Sequence, residues 1–197
     1  MRTVTYGAAV SLDGYFTGRD GAIDWLHMSR DVAEVMRGYW ATVDAILMGR
    51  KTWEFAAAMG GGAEGGATRG ITTYVFTRTL PEIARRGVQL VRDDAAAFVR
   101  ALKAQPGKGI CLMGGGELAR ALLDAGVVDE VGLNIHPVLL GGGVPMFAAP
   151  GTRVRLELAE CRTMDGGCVY ATYRVRPPAA CAARRRRGKG AEARAGS

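Results

Sequence analysis

Residues 49–52 read Gly, Arg, Lys, Thr, follow a short apolar run, and have the composition of a phosphate-binding turn. A helix that begins there points free backbone N–H groups and the positive end of its dipole at an anion. Arg50 and Lys51 add positive charge at the same place. The segment predicts a phosphate site that includes Gly49 and Thr52, although a capped helix with solvated basic residues has the same kind of sequence.

A second candidate turn lies at residues 114–118, where three glycines, Glu117 and Leu118 follow the apolar run 110–113. Glycine lets the backbone approach a ligand closely, and the start of the next helix can bind a pyrophosphate. The spacing is not the G-x-G-x-x-G of ordinary dinucleotide-binding turns. Taken alone, these glycines fit a cofactor turn and a plain tight turn equally well.

A third candidate is the pair Thr77 and Arg78, which comes directly after the apolar run 72–76. Arginine is suited to planar, multi-donor capture of a phosphate. In open α/β sheets ligands gather at the carboxyl ends of the strands, and all three candidates follow predicted strands. Together they predict a bound dinucleotide with an additional phosphate, which points to NADP rather than NAD.

The elements that must position these turns are short apolar runs separated by helix-like segments, a pattern typical of an α/β protein with a mostly parallel sheet flanked by helices. Strands are predicted at residues 4–10, 45–48, 72–76, 89–91, 110–113 and 130–135. Helices are predicted at residues 30–42, 51–58, 94–104 and 117–125.

Within the third helix, Ala97, Phe98, Ala101 and Leu102 are predicted to form the stripe that packs on the sheet, with Asp93 or Asp94 as the N-terminal cap.

Beyond residue 150 the pattern of apolar residues changes. Apolar residues alternate with charged ones at 154–158, and a second run covers 168–175, which predicts a C-terminal antiparallel hairpin. Its connection contains Asp165-Gly166, a pair able to adopt positive φ angles.

Length and charge favour one domain followed by a tail. A chain of 197 residues, 48% hydrophobic, fits a single core. The net charge is +7, and residues 177–197 contain six basic residues against one acidic residue and almost no large apolar residue. We therefore expect a single folded domain at 1–176 and a disordered basic tail at 177–197. The body shows no matching basic motif, which argues against a nucleic-acid partner.

The cysteines and histidines do not predict a metal site. No C-x-x-C pair occurs among the four cysteines, Cys111, Cys161, Cys168 and Cys181, and the two histidines are far apart in the chain.

No run approaches the roughly 18 apolar residues of a membrane span, and the N-terminus lacks the pattern of a secretory signal. A cytoplasmic protein without membrane contact is expected.

These motifs resemble those of a known family. MGRKTWE at 48–54 is similar to a signature of dihydrofolate reductase, and MGGGELARALL at 113–123 resembles the glycine-rich cofactor turn of that enzyme. AAVSLDGY at 8–15 and DWL at 24–26 resemble its first strand and mobile loop. HPVLLGGGVPMF at 136–147 is closer to the reductase domain of the riboflavin-biosynthesis deaminase/reductase and its stand-alone relatives. The resemblance runs from about residue 3 to residue 176.

The resemblance implies a dihydrofolate-reductase-like fold and NADPH as cofactor. Residues 50–52, Thr77 and Arg78 would meet the adenosine phosphates, and residues 114–118 the pyrophosphate. Ala9 and residues 11–14, which include Asp13, would border the nicotinamide, and Trp25 would lie near the substrate. The residues expected to hold the cofactor are Ala9, Gly49, Arg50, Lys51, Thr52, Thr77, Arg78, Gly114, Gly115, Gly116, Glu117 and Leu118.

The expected activity is hydride transfer from NADPH to a pterin, a pyrimidine or a similar heterocycle, with the proton supplied by a carboxylate or an ordered water. Asp31 is the predicted proton donor, and an ordinary helix-start carboxylate is the alternative. Asp13, together with Trp25, is predicted to bind the substrate, and the alternative for Asp13 is an ordinary turn at Leu12-Asp13-Gly14.

Two other functions remain open at this stage. One is the riboflavin-pathway reduction of a 5-amino-6-ribosylaminouracil phosphate, for which Arg30 is an available cation; the deaminase motifs H-x-E and P-C-x-x-C are absent from the sequence. The other is an NADPH-binding module without turnover. By analogy with the stand-alone relatives a homodimer is expected, to which the apolar stretch 138–146 can contribute.

Overall fold

The computed structural model describes residues 1–58, 70–83, 85–147 and 151–176. The glycine-rich segment at 59–69 and the predicted disordered tail lie outside the described residues. Among the described residues, no helix has the length and apolar character that crossing a bilayer requires.

The described residues form ten strands and four α-helices. The strands are β1 (Val4–Ser11), β2 (Tyr15–Thr17), β3 (Val43–Gly49), β4 (Thr72–Phe76), β5 (Val88–Val91), β6 (Gly109–Met113), β7 (Glu130–His136), β8 (Val144–Pro145), β9 (Arg155–Thr163) and β10 (Val169–Arg176). The helices are α1 (Arg30–Ala41), α2 (Arg50–Ala58), α3 (Ala95–Ala104) and α4 (Gly116–Asp124). Every predicted strand and helix of the body is present, with ends that differ by one or two residues.

Eight of these strands form one sheet in the order β5-β4-β3-β6-β1-β7-β10-β9. The six strands from β5 to β7 pair in parallel, and β10 and β9 complete the sheet with antiparallel pairing. The predicted α/β class with a mostly parallel sheet and a C-terminal antiparallel pair is confirmed. The small antiparallel pair of β2 with β8 was not predicted.

Successive side chains of the central strands point to opposite faces of the sheet, because side-chain direction in a strand repeats every two residues. Tyr6, Leu47 and Leu112 point to one face and are completely buried against α3 and α4, which contribute Val99 and Leu122. The opposite face of these strands carries a smaller apolar cluster that includes Ile46, Met48 and Cys111 and packs with Trp53 of α2. The larger cluster therefore lies on one face of the sheet, and the other face carries the smaller cluster beside the cleft described below.

The predicted stripe of α3 is wrong in part, because Ala97 and Ala101 are exposed. Of the predicted stripe, Leu102 is buried and Phe98 packs partly buried against the core. The helix also buries Val99 and Lys103, which were not predicted. Lys103 is buried because its ammonium donates to the carbonyl of Val127 and to Asp129, so the charge is satisfied inside the fold. The prediction of an N-terminal cap is confirmed for Asp94, whose carboxylate accepts from the Ala97 backbone N–H at 2.7 Å.

The C-terminal hairpin forms as predicted, but its turn differs from the prediction. Asp165 does not have positive φ; Gly166 and Gly167 do, at +76° and +77°. Strand β9 is the sheet edge and is exposed along nearly all of its length, including Leu156 and Leu158. Its alternating sequence therefore reflects strand pairing to β10 rather than burial of one face.

Candidate active site

A cleft of about 1500 Å³ lies over the face of the sheet opposite the core, at the carboxyl ends of β3, β4 and β6. All twelve residues that the sequence predicts for the cofactor line it. They are Ala9, Gly49, Arg50, Lys51, Thr52, Thr77, Arg78, Gly114, Gly115, Gly116, Glu117 and Leu118. The three candidate turns are thus brought together on one cavity.

The turn at Gly49 ends β3, and α2 begins at the next residue. The Arg50 guanidinium donates to both carboxylate oxygens of Glu54, at 2.9 and 3.1 Å. Lys51 Nζ lies 3.6 Å from Glu117 Oε1. Both ion pairs are solvent-exposed, where such pairs contribute little stability, so either cation can exchange its partner for a ligand phosphate.

The second turn is formed by Gly114 and Gly115, both in the left-handed region at φ +58° and +65°. Gly115 caps α4 without a side-chain hydrogen bond, which leaves the first backbone N–H groups of this helix unclaimed by any cap side chain. A Cβ atom on Gly114 would lie 2.7 Å from Thr52 Cγ2. The second turn is therefore packed directly against the first, and both face the same space.

The third turn follows β4. Thr77 Oγ1 accepts from the backbone N–H groups of Thr79 and Leu80, at 3.2 and 3.1 Å, which fixes the turn and leaves the Arg78 side chain exposed. Arg92, at the end of neighbouring β5, also lines the cleft and donates to the Leu80 carbonyl at 2.6 Å. Arg92 was not among the predicted residues, although it follows a predicted strand directly, as Arg78 does.

The floor of the cleft is the sheet surface formed by Gly7 and Ala9 of β1, Gly132 and Asn134 of β7, and Tyr170 of β10. In the strand register Gly7 is opposite Gly132, and Asn134 is opposite both Ala9 and Tyr170. Two glycines and an alanine in adjacent positions have little or no side chain above the sheet, so a flat group can lie close to the strands. Apolar residues of α1, including Val32 and Met36, form the wall above it.

A buried polar cluster closes one end of the floor and was not predicted. The backbone N–H of His27 donates a hydrogen bond to Nδ1 of His136 at 3.3 Å. Cys168 Sγ lies 3.4 Å from the same nitrogen. Asn134 lies 3.1 Å from Nε2. Burial, followed by the nearby His27, lowers the pKa of His136. Single polar residues in apolar strands give no sequence signal of such a cluster.

Asp31, the predicted proton donor, is not among the described residues that line the cleft. Its carboxylate accepts from the Ser29 hydroxyl and from the backbone N–H groups of Val32 and Asp165, the last two at 2.8 Å. The Ser29 hydrogen bond, with that of the Asp165 backbone next, lowers the pKa of Asp31. These contacts join the start of α1 to the hairpin turn.

The two predicted substrate residues also lie off the cleft lining. Asp13 accepts from the Ser11 hydroxyl at 2.6 Å and from the Gly141 N–H at 2.8 Å, and the Ser11 bond is the main cause of its lowered pKa. Trp25 packs edge-on against His136, with 5.2 Å between the ring centroids. Asp13 thus holds the loop after β7, and Trp25 contacts His136, which lines the cleft.

Within the described part of the chain, no three His, Cys, Asp or Glu side chains are grouped as metal ligands would be. Cys111 and Cys168 are buried free thiols, and Cys161 is an exposed one. Burial raises the pKa of the Cys111 thiol to about 11, so this group is not a reactive thiolate. The site is organised around backbone turns, cations and one buried polar cluster.

A mostly parallel sheet whose strand ends and glycine turns surround one cleft defines this chain as an α/β domain with the dihydrofolate-reductase-like fold. The RibD C-terminal domain family matches residues 2–170, and the chain belongs to that family. Its fold is therefore of the type found in the pyrimidine reductase of the riboflavin pathway.

The relatives include stand-alone proteins. The chain is 33% identical over 181 residues to the uncharacterized protein YyaP of Bacillus subtilis strain 168, covering 88% of this chain and 95% of that protein. A structure from Shewanella sp. PV-4, named for riboflavin biosynthesis, superposes with a TM-score of 0.75 at 24% identity, covering 90% of this chain and all of that one. RibD of Acinetobacter baumannii gives a TM-score of 0.66 at 17% identity, with 89% of this chain and 58% of RibD covered.

Proposed function

We propose that this protein is an NADPH-dependent reductase that transfers hydride to a pterin, a pyrimidine or a similar heterocycle. The observation that carries the proposal is the contact between Gly114 and Thr52, which joins two phosphate-type turns into one surface. Arg50, Arg78 and Arg92 lie at the same edge of the sheet and line the same cleft. Three cations beside two glycine turns favour a dinucleotide that carries an additional phosphate.

The residues present fit such a cofactor. The glycines at 114 and 115, both with positive φ, leave space beside the turn that side chains would occupy. The start of α4 has no side-chain cap, so its backbone N–H groups can bind a pyrophosphate. Thr52, Thr77 and the three arginines would hold the remaining phosphates. Ala9 and the low floor beside it would accommodate the nicotinamide. When bound, NADPH supplies the hydride that reduces a C=N or C=O group of the substrate.

The chain itself would position the two reactants and limit access of water. The floor fixes the plane in which flat rings can lie, and the apolar wall of Val32 and Met36 covers them. Holding reactants in this way accounts for a large share of catalysis in hydride transfer. The hydrogen bonds of Asp31 and its lowered pKa favour an ionised, structural carboxylate, so we propose that ordered water delivers the proton.

The first test is a paired titration with NADPH and NADH, followed by quenching of Trp25, Trp40 and Trp53 and by thermal unfolding. A ligand at a hundred times its Kd adds about 2.7 kcal/mol, or roughly 5 to 10 °C in Tm for a domain of this size. We expect clear stabilisation by NADPH and much less by NADH. No response to either ligand would reject the proposal.

The second test is consumption of NADPH in the presence of candidate substrates. The family relationship makes 5-amino-6-ribosylaminouracil phosphate the first substrate to try, followed by other pyrimidines and by pterins. Oxidation of NADPH that depends on one of these rings is the expected result. Tight NADPH binding without turnover across this series would identify a binding module instead of an enzyme.

A further inference from the structure

Positive charge is spread unevenly over the cleft. The described residues that line it include four basic side chains, Arg50, Lys51, Arg78 and Arg92, which define its cationic part. They follow β3, β4 and β5, the strands at one end of the sheet. The floor described above lies on β1, β7 and β10, beyond β6, and defines the floor part of the cleft. Among the described residues that line the floor part, none is a lysine or an arginine.

The walls of the floor part are apolar. Val32 and Met36 of α1 pack against the turn that precedes β10, and both line the cleft. Ile23, Leu26 and Met28, from the segment before α1, line it as well. Burial of apolar ligand surface against such walls is favourable, whereas a charge brought there without a partner loses its hydration. The walls therefore favour an uncharged ligand.

The start of α1 is already occupied by an anion of the chain itself. A helix start binds an anionic ligand through its free backbone N–H groups. At α1 the Val32 N–H donates to the Asp31 carboxylate at 2.8 Å and to the Ser29 hydroxyl at 3.4 Å. Hydrogen bonds, first that of Ser29, lower the pKa of Asp31, so its carboxylate is ionised at neutral pH. Unlike the uncapped start of α4, the start of α1 therefore does not favour a phosphate.

We propose that the floor part of the cleft binds a flat, uncharged ring compound that carries no phosphate group. The inference rests on the proposed function in taking the cationic part to hold the phosphates of NADPH. Arg30, the cation that the sequence offers to a ribosyl phosphate, is exposed at the start of α1 and is not among the described lining residues. A free pyrimidine or pterin base fits the floor part, and a ribosyl phosphate does not.

The first experiment compares two matched probes, 1-naphthol and 1-naphthyl phosphate, at pH 7.5 with NADP⁺-saturated protein. They share one flat bicyclic ring, and the phosphate carries about two negative charges at this pH. Because NADP⁺ occupies the cationic part, the probes report on the floor part. We expect 1-naphthol to bind at least about tenfold more tightly by ligand-observed NMR. Equal affinity, tighter binding of the phosphate or no binding of either probe would overturn the proposal.

A cation placed in the wall should weaken this preference. Met28 lines the cleft and is 66% exposed, so Met28→Lys adds a charge there without removing a buried side chain. The affinity for 1-naphthyl phosphate should rise about threefold, as for an exposed ion pair, and that for 1-naphthol should not rise. Ala41→Lys adds the same charge at an exposed position of α1 that does not line the cleft. Equal effects of the two variants, both folded by thermal unfolding, would contradict binding at this wall and overturn the proposal.

Turnover provides the second experiment. In the substrate series of the proposed function, the fastest NADPH oxidation is expected with an unphosphorylated pyrimidine or pterin. Faster oxidation with 5-amino-6-ribosylaminouracil phosphate would overturn this inference and leave the proposed function standing. Should NADPH and NADP⁺ fail to bind, the proposed function falls, and the two naphthyl probes, measured on the free protein and both variants, still decide which ligand the floor part takes.

Discussion

Gly114 and Thr52 are in such close contact that a Cβ atom on the glycine would lie 2.7 Å from Thr52 Cγ2. Gly114→Ala would also force a φ of +58° on an alanine, at a cost of about 1–3 kcal/mol. We expect the two turns to separate and NADPH affinity to fall by at least about tenfold. A fluorescence titration measures this loss.

Gly126 provides a matched control for that substitution. It has a similar φ of +66°, but a Cβ atom there would have no neighbour within 4 Å, and it lies just after α4, away from the cleft. Gly126→Ala should lower Tm while leaving NADPH affinity unchanged. If both variants lose affinity to the same extent, the effect comes from general strain and not from the contact with Thr52.

Arg78 is predicted to contribute to the preference for NADPH over NADH. Its side chain is exposed at the end of β4 and lines the cleft. Arg78→Gln should weaken NADPH binding about tenfold, or about 1.4 kcal/mol, because a charge-assisted contact to phosphate is lost. NADH binding should not change. Arg162→Gln, on the distant edge strand β9, controls for net charge; an equal effect of the two would contradict a direct contact.

Asp31→Asn separates a structural carboxylate from a proton donor. Because folding lowers the pKa of Asp31, its stabilising contribution is complete above the unfolded value of about 3.9 and is lost as pH falls below it toward the folded pKa. The free energy of unfolding of the variant should be lower than that of the parent at neutral pH, and the difference should shrink in acid. Denaturant unfolding between pH 2.5 and 7 measures this.

The same variant should keep its kcat in the NADPH assay once folded. A large fall in kcat at unchanged stability would restore Asp31 as the proton donor. Asp24→Asn, an exposed residue of the preceding loop, removes one charge in the same way and controls for it.

The homodimer expected from the relatives remains a prediction, and two exposed apolar segments can be compared for it. Leu139, 70% exposed, belongs to the stretch 138–146, and Leu158, 55% exposed, lies on the edge strand β9, which pairs only with β10 among the described strands. An exposed edge strand readily pairs with a second chain. We expect Leu158→Arg to shift the mass in light scattering toward the 20.8 kDa monomer. A shift with Leu139→Arg alone would assign the interface to the loop.

The elements that the sequence predicts well are those with local causes. Strand periodicity, the caps of helices and the glycines at 114 and 115 each act within a few residues, and they were sufficient to predict the three turns that line the cleft. Strands β2 and β8 have three and two residues, too few to show any period. Lys103 was not expected to be buried, since its partners Val127 and Asp129 are distant in sequence.

The buried polar cluster at the end of the cleft floor depends on contacts that no local pattern reveals. The His27 backbone N–H donates to His136 across 109 residues of chain. The Asn134 amide contacts the other ring nitrogen of the same histidine. A carboxylate in the first turn of a helix has the same local sequence whether it caps the helix or transfers a proton. The hydrogen bond that the Asp165 backbone N–H donates to Asp31 spans 134 residues of chain, so no local pattern predicts it.

The order of strands in the sheet also determines when the cleft can exist. Thr5 of β1 and Tyr170 of β10 both line it, and β7 lies between their strands. The floor is therefore complete only after the final strand has docked, although β1 leaves the ribosome first. Pairings between such distant parts of a chain form late and slowly in folding. NADPH would then recognise the finished sheet and not a folding intermediate, so it should slow unfolding without accelerating folding.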